Sequence, residues 1–217
     1  TYDREAGAAL AAPDRPGYFT QPLGESDVRV VEGLRERPFG ATRVCLGTVE
    51  LTSQVTGFLR RDEASGKVWD SHPLDLPRRV LRTQSVWVTV PAVLLGGIAQ
   101  RDLAGAAHAA EHCAIGLLPM FAPCDRWDIG GLSTTLHPDT GELTIFVHDG
   151  HPGGAGFAER GFELAEAWWS ATLDRLRTCS CAAGCPSCVV SPKCGNGNQP
   201  LAKDAAALLV SRFLGGD

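Results

Sequence analysis

With 217 residues, 44% of them hydrophobic and 21% charged, the chain has enough apolar material to bury a core in one domain or two small ones. Its net charge of −5 argues against a free-standing nucleic-acid binder, which draws most of its affinity from neutralising phosphates, so any such contact is local or shared. The longest apolar run, 86–99, is broken by Pro91, Gly96 and Gly97 and falls short of the roughly 20 residues a membrane-spanning helix needs. The opening Thr1-Tyr2-Asp3-Arg4-Glu5 carries neither an initiator Met nor a basic-then-apolar signal, which reads as the interior of a longer polypeptide.

Up to about Val90 the chain reads as strand-rich. The segments 42–51 and 55–59 are dense in β-branched residues, 63–67 has turn composition before Val68-Trp69, and Ser85 to Val90 forms a further strand ended by Pro91. Arg60-Arg61 and Arg78-Arg79 with Arg82 are the densest basic points and read first as solvated strand ends. From Gln100 the period changes: Leu103, Ala107, Ala110, Ala114 and Leu117 recur at helical spacing until Pro119 stops the run. Leu132 to His137 and Leu143 to His148 alternate around Pro138-Asp139-Thr140-Gly141, which predicts a hairpin. A glycine-rich corner at 148–156 leads into a helix expected over Phe157 to Arg177. A last helix is expected from Pro200, at its first turn, with Leu201, Ala205, Leu208, Leu209 and Phe213 as its apolar stripe. The expected fold class is α+β: a strand-rich part over 1–98, then a helical part over 99–217 with a β-hairpin and a cysteine loop.

Eight cysteines occur, five of them between Cys179 and Cys194. Such clustering in a chain without a secretion signal points to metal binding in a reducing cytoplasm, not to a disulfide scaffold. Cys179, Cys181, Cys185 and Cys188 fall within ten residues, and tetrahedral zinc takes four soft ligands of this kind. The Cys185-Pro186-Ser187-Cys188 turn sets two sulfurs on one side and the Cys179-Ser180-Cys181 pair supplies the others. Cys194, followed by Gly195, competes for the place of Cys181. Four thiolates leave no open position, so the ion, Zn2+, would be structural and its binding would offset the ordering entropy of a loop with almost no apolar residues.

Three further constellations carry chemistry. His108-Ala109-Ala110-Glu111-His112 matches the His-x-x-Glu-His pattern of zinc peptidases, which would also need a carboxylate from Glu159, Glu163 or Glu166; the alternative is a helix whose histidines and glutamate make buried hydrogen bonds. Gly153-Gly154-Ala155-Gly156 before a helix has the form of an anion-binding N-terminus but lacks a Walker ending, and tight packing of helix on strand competes with that reading. His148, Asp149 and His151 beside it either contact a ligand or tie a polar corner. Trp168-Trp169 is a possible base-stacking platform, with core as the default for both.

Several of these segments together, His108 to His112, Asp125-Arg126-Trp127-Asp128-Ile129-Gly130-Gly131, Asp149 to Gly156, and Cys179 through Cys188 to Cys194-Gly195-Asn196-Gly197-Asn198, resemble the C-terminal zinc-binding (MZB) region of the mitomycin-repair-factor and Hrq types of superfamily 2 DExH-box helicases. The resemblance covers about half the chain clearly, with Tyr18-Phe19-Thr20 and the strand-rich stretch similar to the family's linking region. It implies zinc ligands at Cys179, Cys181, Cys185 and Cys188, and a parent enzyme that hydrolyses ATP with Mg2+ in motor lobes of the same polypeptide to unwind DNA in repair. No Gly-x-x-x-x-Gly-Lys-Ser/Thr loop occurs here, so the expected role of this part is to brace the motor and help enclose a strand, with no catalytic residue of its own. A zinc peptidase on the His108 helix and a protein-interaction module docking through the glycine corner are the competing readings.

Overall fold

A computed structural model of the chain describes residues 2–3 and 5–216. In chain order the strands are β1 (Tyr2–Asp3), β2 (Ala8–Ala9), β3 (Tyr18–Phe39), β4 (Thr42–Asp62), β5 (Val68–Pro73), β6 (Arg79–Val90), β7 (Ile129–Thr134) and β8 (Leu143–Asp149). The helices are α1 (Leu103–Leu117), α2 (Phe157–Glu163), α3 (Ala165–Thr178) and α4 (Lys203–Phe213). Antiparallel strands and segregated helices, with α1 between β6 and the β7–β8 hairpin, give the expected α+β class. Among the described residues no helix is long and apolar enough to cross a membrane.

Two compact units emerge: residues 1–25 with 55–77, and residues 26–54 with 78–217. The units therefore cut the chain elsewhere than the change of period at 98/99, because strands of the first half share a core with helices of the second. In the smaller unit β5 pairs antiparallel with the far end of β4, with a register shift between Arg60 and Arg61. There Arg60 is ion-paired to Asp70 and lies over the Tyr18 ring, and the Arg61 guanidinium donates to Gln21 and to the Gly66 carbonyl. Both arginines are thus spoken for within the unit.

The larger unit carries the sheet order β3-β4-β6-β8-β7. Arg43 to Ser53 of β4 pair with β6, whereas Gly57 to Arg61 pair with β5. The two partners supply ladder bonds in succession, so β4 runs unbroken where composition suggested separate strands at 42–51 and 55–59. The sheet's alternation is clean. Val44, Leu46, Val86, Val88, Val90, Leu143, Ile145 and Val147 face one way and join the main core with the helices. Cys45, Val49, Trp87 and Phe146, one residue out of phase, form a smaller cluster on the opposite face with Val28.

Helix α1 packs against β7, β8, α3 and α4 and is the hub of the helical layer. It is buried nearly all round, and its small side chains permit this: Ala106, Ala107, Ala109, Ala110 and Ala114 lie in the core, and Gly105 lets the Ala202 backbone approach to hydrogen-bond distance of its carbonyl. Trp168 and Trp169 are both fully buried, so neither is a stacking platform in this fold. Trp168 donates its indole N–H to the Ala114 carbonyl at 2.8 Å, tying α3 to α1.

The single helix expected over 157–177 is instead α2 and α3, broken at Leu164. At the break the Arg37 guanidinium donates to the Phe162 carbonyl at 2.9 Å, the group a continuous helix would turn toward Glu166, and ion-pairs with the Glu166 carboxylate, so the freed carbonyl keeps a partner. Pro200 is also not in a first helical turn. It precedes α4 by three residues, since the stretch before the helix is held against α1 through its backbone.

Candidate metal centre

Helix α3 ends at Thr178, and its last residues hand the chain to the cysteine loop over the buried Leu176 and Val189. All eight cysteines are free thiols. The sulfurs of Cys179, Cys181, Cys185 and Cys188 lie within 4.8 Å of one another. The close pairs are Cys181–Cys188 at 3.4 Å, Cys179–Cys181 and Cys179–Cys185 at 3.6 Å, and Cys185–Cys188 at 3.7 Å. A disulfide would need about 2.05 Å. A tetrahedron with sulfur about 2.3 Å from a central zinc has edges of about 3.8 Å, so the donor set fits the ion by size as well as by softness.

Local backbone makes this convergence possible. Gly184 adopts φ +127°, a conformation other residues rarely take, and the Cys188 and Val190 amides both donate to the Cys185 carbonyl, closing a knuckle around the pair. The Cys185 amide points at the Cys188 sulfur at 3.3 Å. A hydrogen bond from the Cys181 backbone, then contacts with the Cys185 and Cys181 thiols, hold the Cys179 thiol down to about 6, whereas burial pushes Cys188 up to about 12.

Composition did not single out Lys203, which the structure places at the centre of this loop's support. Its ammonium is buried and donates to the Cys179 carbonyl at 2.6 Å and the Cys181 carbonyl at 2.7 Å, fastening the loop to the start of α4. No pattern marked it, because Lys203 lies off the stripe of Leu201, Ala205, Leu208, Leu209 and Phe213. Lys193 plays a similar part farther along, donating to the Arg126 and Ile129 carbonyls and lying over the Trp127 ring.

Cys194 does not stand among the four. Its sulfur is 3.5 Å from His108 Nε2, and His108, His112 and Cys194 form a separate group of potential donors. The peptidase arrangement is not assembled on this helix. Glu111 turns away to β7, where it accepts from the Ser133 hydroxyl at 2.7 Å, and burial pushes its carboxyl up to about 7. The carboxylates that might have completed it are elsewhere, Glu159, Glu163 and Glu166 being paired with Arg35, Arg160 and Arg37.

The glycine corner is likewise filled from within. The fully buried Asp149 carboxylate accepts from the amides of Ala155, Gly156 and Ala158, the last two at 2.9 and 2.8 Å. Gly156, at φ +89°, caps α2 and turns those amides inward. The donors that could cradle an external anion are thus occupied by the protein's own. His148 hydrogen-bonds the Asp149 carbonyl and His151 lies 3.4 Å from Asp128, which with Asp125 forms a capping box on a single 3-10 turn. These residues tie a corner.

An α+β domain whose last loop gathers four thiols around a zinc-sized space defines a structural metal-binding module. Comparison with known proteins identifies it further: the model of the MrfA Zn-binding domain, MZB, matches residues 110–189. An uncharacterized protein of Methanocaldococcus jannaschii, MJ1572.1, is 39% identical over 112 residues, covering 49% of this chain and 98% of that one. This chain belongs to the MrfA Zn-binding domain family. It is also 26% identical over 175 residues to the uncharacterized ATP-dependent helicase YprA of Bacillus subtilis, and 24% identical over 201 residues to the ATP-dependent helicase HRQ1 of Saccharomyces cerevisiae. It covers 23% and 19% of those two proteins, about a fifth of their length, while 79% and 87% of this chain is matched. The crystal structure of the DUF1998 helicase MrfA bound to DNA superposes with a TM-score of 0.66 over 92% of this chain and 26% of that one, at 24% identity, a likeness of fold.

Proposed function

We propose that this chain is the structural zinc-binding accessory part of an ATP-dependent DNA helicase acting in repair in the cytoplasm, with one Zn2+ held by Cys179, Cys181, Cys185 and Cys188. The observation that carries the metal reading is the convergence of four sulfurs, all within 4.8 Å of one another and four of their six separations between 3.4 and 3.7 Å. Those residues bind and orient the ion; the ion supplies a fixed cross-link among four thiolates and leaves no position for substrate. Its partners are the motor domains of the same polypeptide and, through them, single-stranded or duplex DNA; ATP and Mg2+ belong to the motor lobes. Support comes from the relatives, several of which are helicases matched over about a fifth of their length, and from the net negative charge, which suits a brace for the motor better than an independent DNA clamp.

Two measurements test the reading. Metal analysis of the purified chain, with zinc edge spectroscopy, should find a sulfur-dominated ion that a Cys188→Ser variant cannot hold at this loop; retention of a four-sulfur site by that variant would overturn it. In the longer polypeptide, the same substitution should leave the intrinsic ATP site in place yet weaken coupling of ATP hydrolysis to unwinding. Wild-type unwinding by a metal-free variant would remove the bracing role.

A further inference from the structure

We infer that His108, His112 and Cys194 form a second transition-metal site, which takes one zinc-class divalent ion on two imidazole nitrogens and one sulfur. It shares no ligand with the four-cysteine loop and stands or falls independently of it. His108 and Cys194 also lie outside residues 110–189, the stretch matched by the zinc-binding family model.

The geometry is that of a ligand set. The donor atoms of the three residues lie within 4.8 Å of one another, and Cys194 Sγ is 3.5 Å from His108 Nε2. A tetrahedral zinc with nitrogen at about 2.0 Å and sulfur at about 2.3 Å spans an N···S edge of roughly 3.6 Å. His108 and His112 stand one turn apart on the same face of α1, their ring centroids 4.2 Å from each other. His112 is buried and the other two are half-buried, so an ion can enter from one side.

The surroundings set the protonation that a metal requires. His108 Nδ1 lies 2.9 Å from the Pro200 carbonyl and His112 Nδ1 lies 2.7 Å from the Val189 carbonyl. A carbonyl can only accept, so each Nδ1 carries the proton and donates, leaving each Nε2 with its lone pair exposed toward the cluster. A backbone carbonyl on the far ring nitrogen is the arrangement that fixes tautomer and orientation in metal-bound histidines. On the third ligand, the Asn198 amide donates to the Cys194 sulfur at 3.1 Å, which favours the thiolate. Asn198, at φ +62°, is itself clamped by two hydrogen bonds to the Ser191 backbone, its side-chain carbonyl accepting at 2.7 Å and its amide donating at 3.0 Å. A thiol proton can serve one imidazole lone pair at a time; a cation serves both lone pairs and the sulfur together.

Three protein donors leave one tetrahedral position for water. Glu111, engaged with Ser133, is not placed to use that water as a base. The ion's part is therefore to staple the 189–200 segment onto α1, one peptide beyond Cys188.

The test is metal content and X-ray absorption on the full chain loaded with zinc. Two ions per chain are expected, holding five sulfurs and two imidazole nitrogens between them, an average per ion of about 2.5 sulfurs and one imidazole nitrogen from the donors named. Cys194→Ser and His108→Ala should each lose one ion and the imidazole scattering, keep a sulfur-only ion, and leave far-UV circular dichroism unchanged. Cobalt substitution should show a thiolate charge-transfer component that Cys194→Ser removes. A sulfur-only shell in the wild-type chain, or two ions retained by Cys194→Ser, overturns the proposal. One ion per chain with imidazole scattering would instead sustain this site and sink the four-thiolate one. Should a variant fail to fold, the wild-type shell still decides.

Discussion

Two loops made of small residues, the glycine corner at 149–156 and the cysteine loop at 179–199, solve the same problem in opposite ways. Neither buries much apolar surface of its own, so each must recover its ordering entropy of roughly 1–2 kcal/mol per residue from polar contacts. The corner turns backbone amides inward, which calls for an anion, and the chain provides one in Asp149. The cysteine loop turns sulfurs inward, and thiolates call for a cation. Lys203 cannot fill that part, because its ammonium is spent on two carbonyls outside the cluster. A site whose counter-charge is built in is finished on folding, and a site whose counter-charge is missing from the chain has to recruit it.

The largest effect expected from this contrast is on metal removal. Chelation, or Cys188→Ser, should abolish hydrogen-exchange protection across 179–188, since structural zinc in small cysteine modules carries on the order of 10 kcal/mol of folding free energy. The glycine corner should stay protected under the same treatment; its loss together with the loop would break the comparison. Next in size, Asp149→Ala strips an acceptor from three amides and should cost roughly 4 kcal/mol in chemical denaturation at saturating zinc, without changing metal content.

A smaller, pH-dependent effect belongs to α1. Burial raises the Glu111 carboxyl to about 7 from an ordinary 4.5, so its stabilising contribution is complete below the unfolded value and is lost as pH rises through 7. Glu111→Gln keeps a partner for Ser133 and should gain stability over the parent progressively between about pH 4.5 and about pH 7, levelling off at roughly 3 kcal/mol above that. A difference independent of pH in urea titrations would show that Glu111 is not buried as described. Smallest of all, Arg160→Ala at the exposed pair with Glu163 should change stability by less than about 0.5 kcal/mol, a control for the general effect of removing surface charge.

Local pattern made a good part of this legible. The 3.6-residue recurrence from Leu103 to Leu117 matches α1, the alternation around Pro138 to Gly141 finds the β7–β8 hairpin, though β7 starts and ends three residues before the expected 132–137, and the density of cysteines already grouped four of them. Such features depend on residues within a turn or two of one another. The break between α2 and α3 was invisible because the group that satisfies it, Arg37, stands 125 residues before the carbonyl it binds. The single long β4 was invisible because two different strands supply its partners. For the glycine corner the residues left an anion-binding turn, tight packing and a polar corner all open, and the fold shows Asp149 accepting from the corner's own amides.

By itself, then, the amino-acid order determined an α+β chain with a thiol-rich loop near its end, since hydrophobic period, turn chemistry and ligand spacing are short-range properties. Tertiary structure decided where each functional group spends its valence. Cys194 could be weighed only as a rival to Cys181 while its neighbours in sequence were all that was known; folding sets it against an imidazole 86 residues away, on a helix buried at the centre of the domain. Directional bonds such as N–H···O and metal coordination select among partners by angle and distance, and those are fixed only once the backbone has packed.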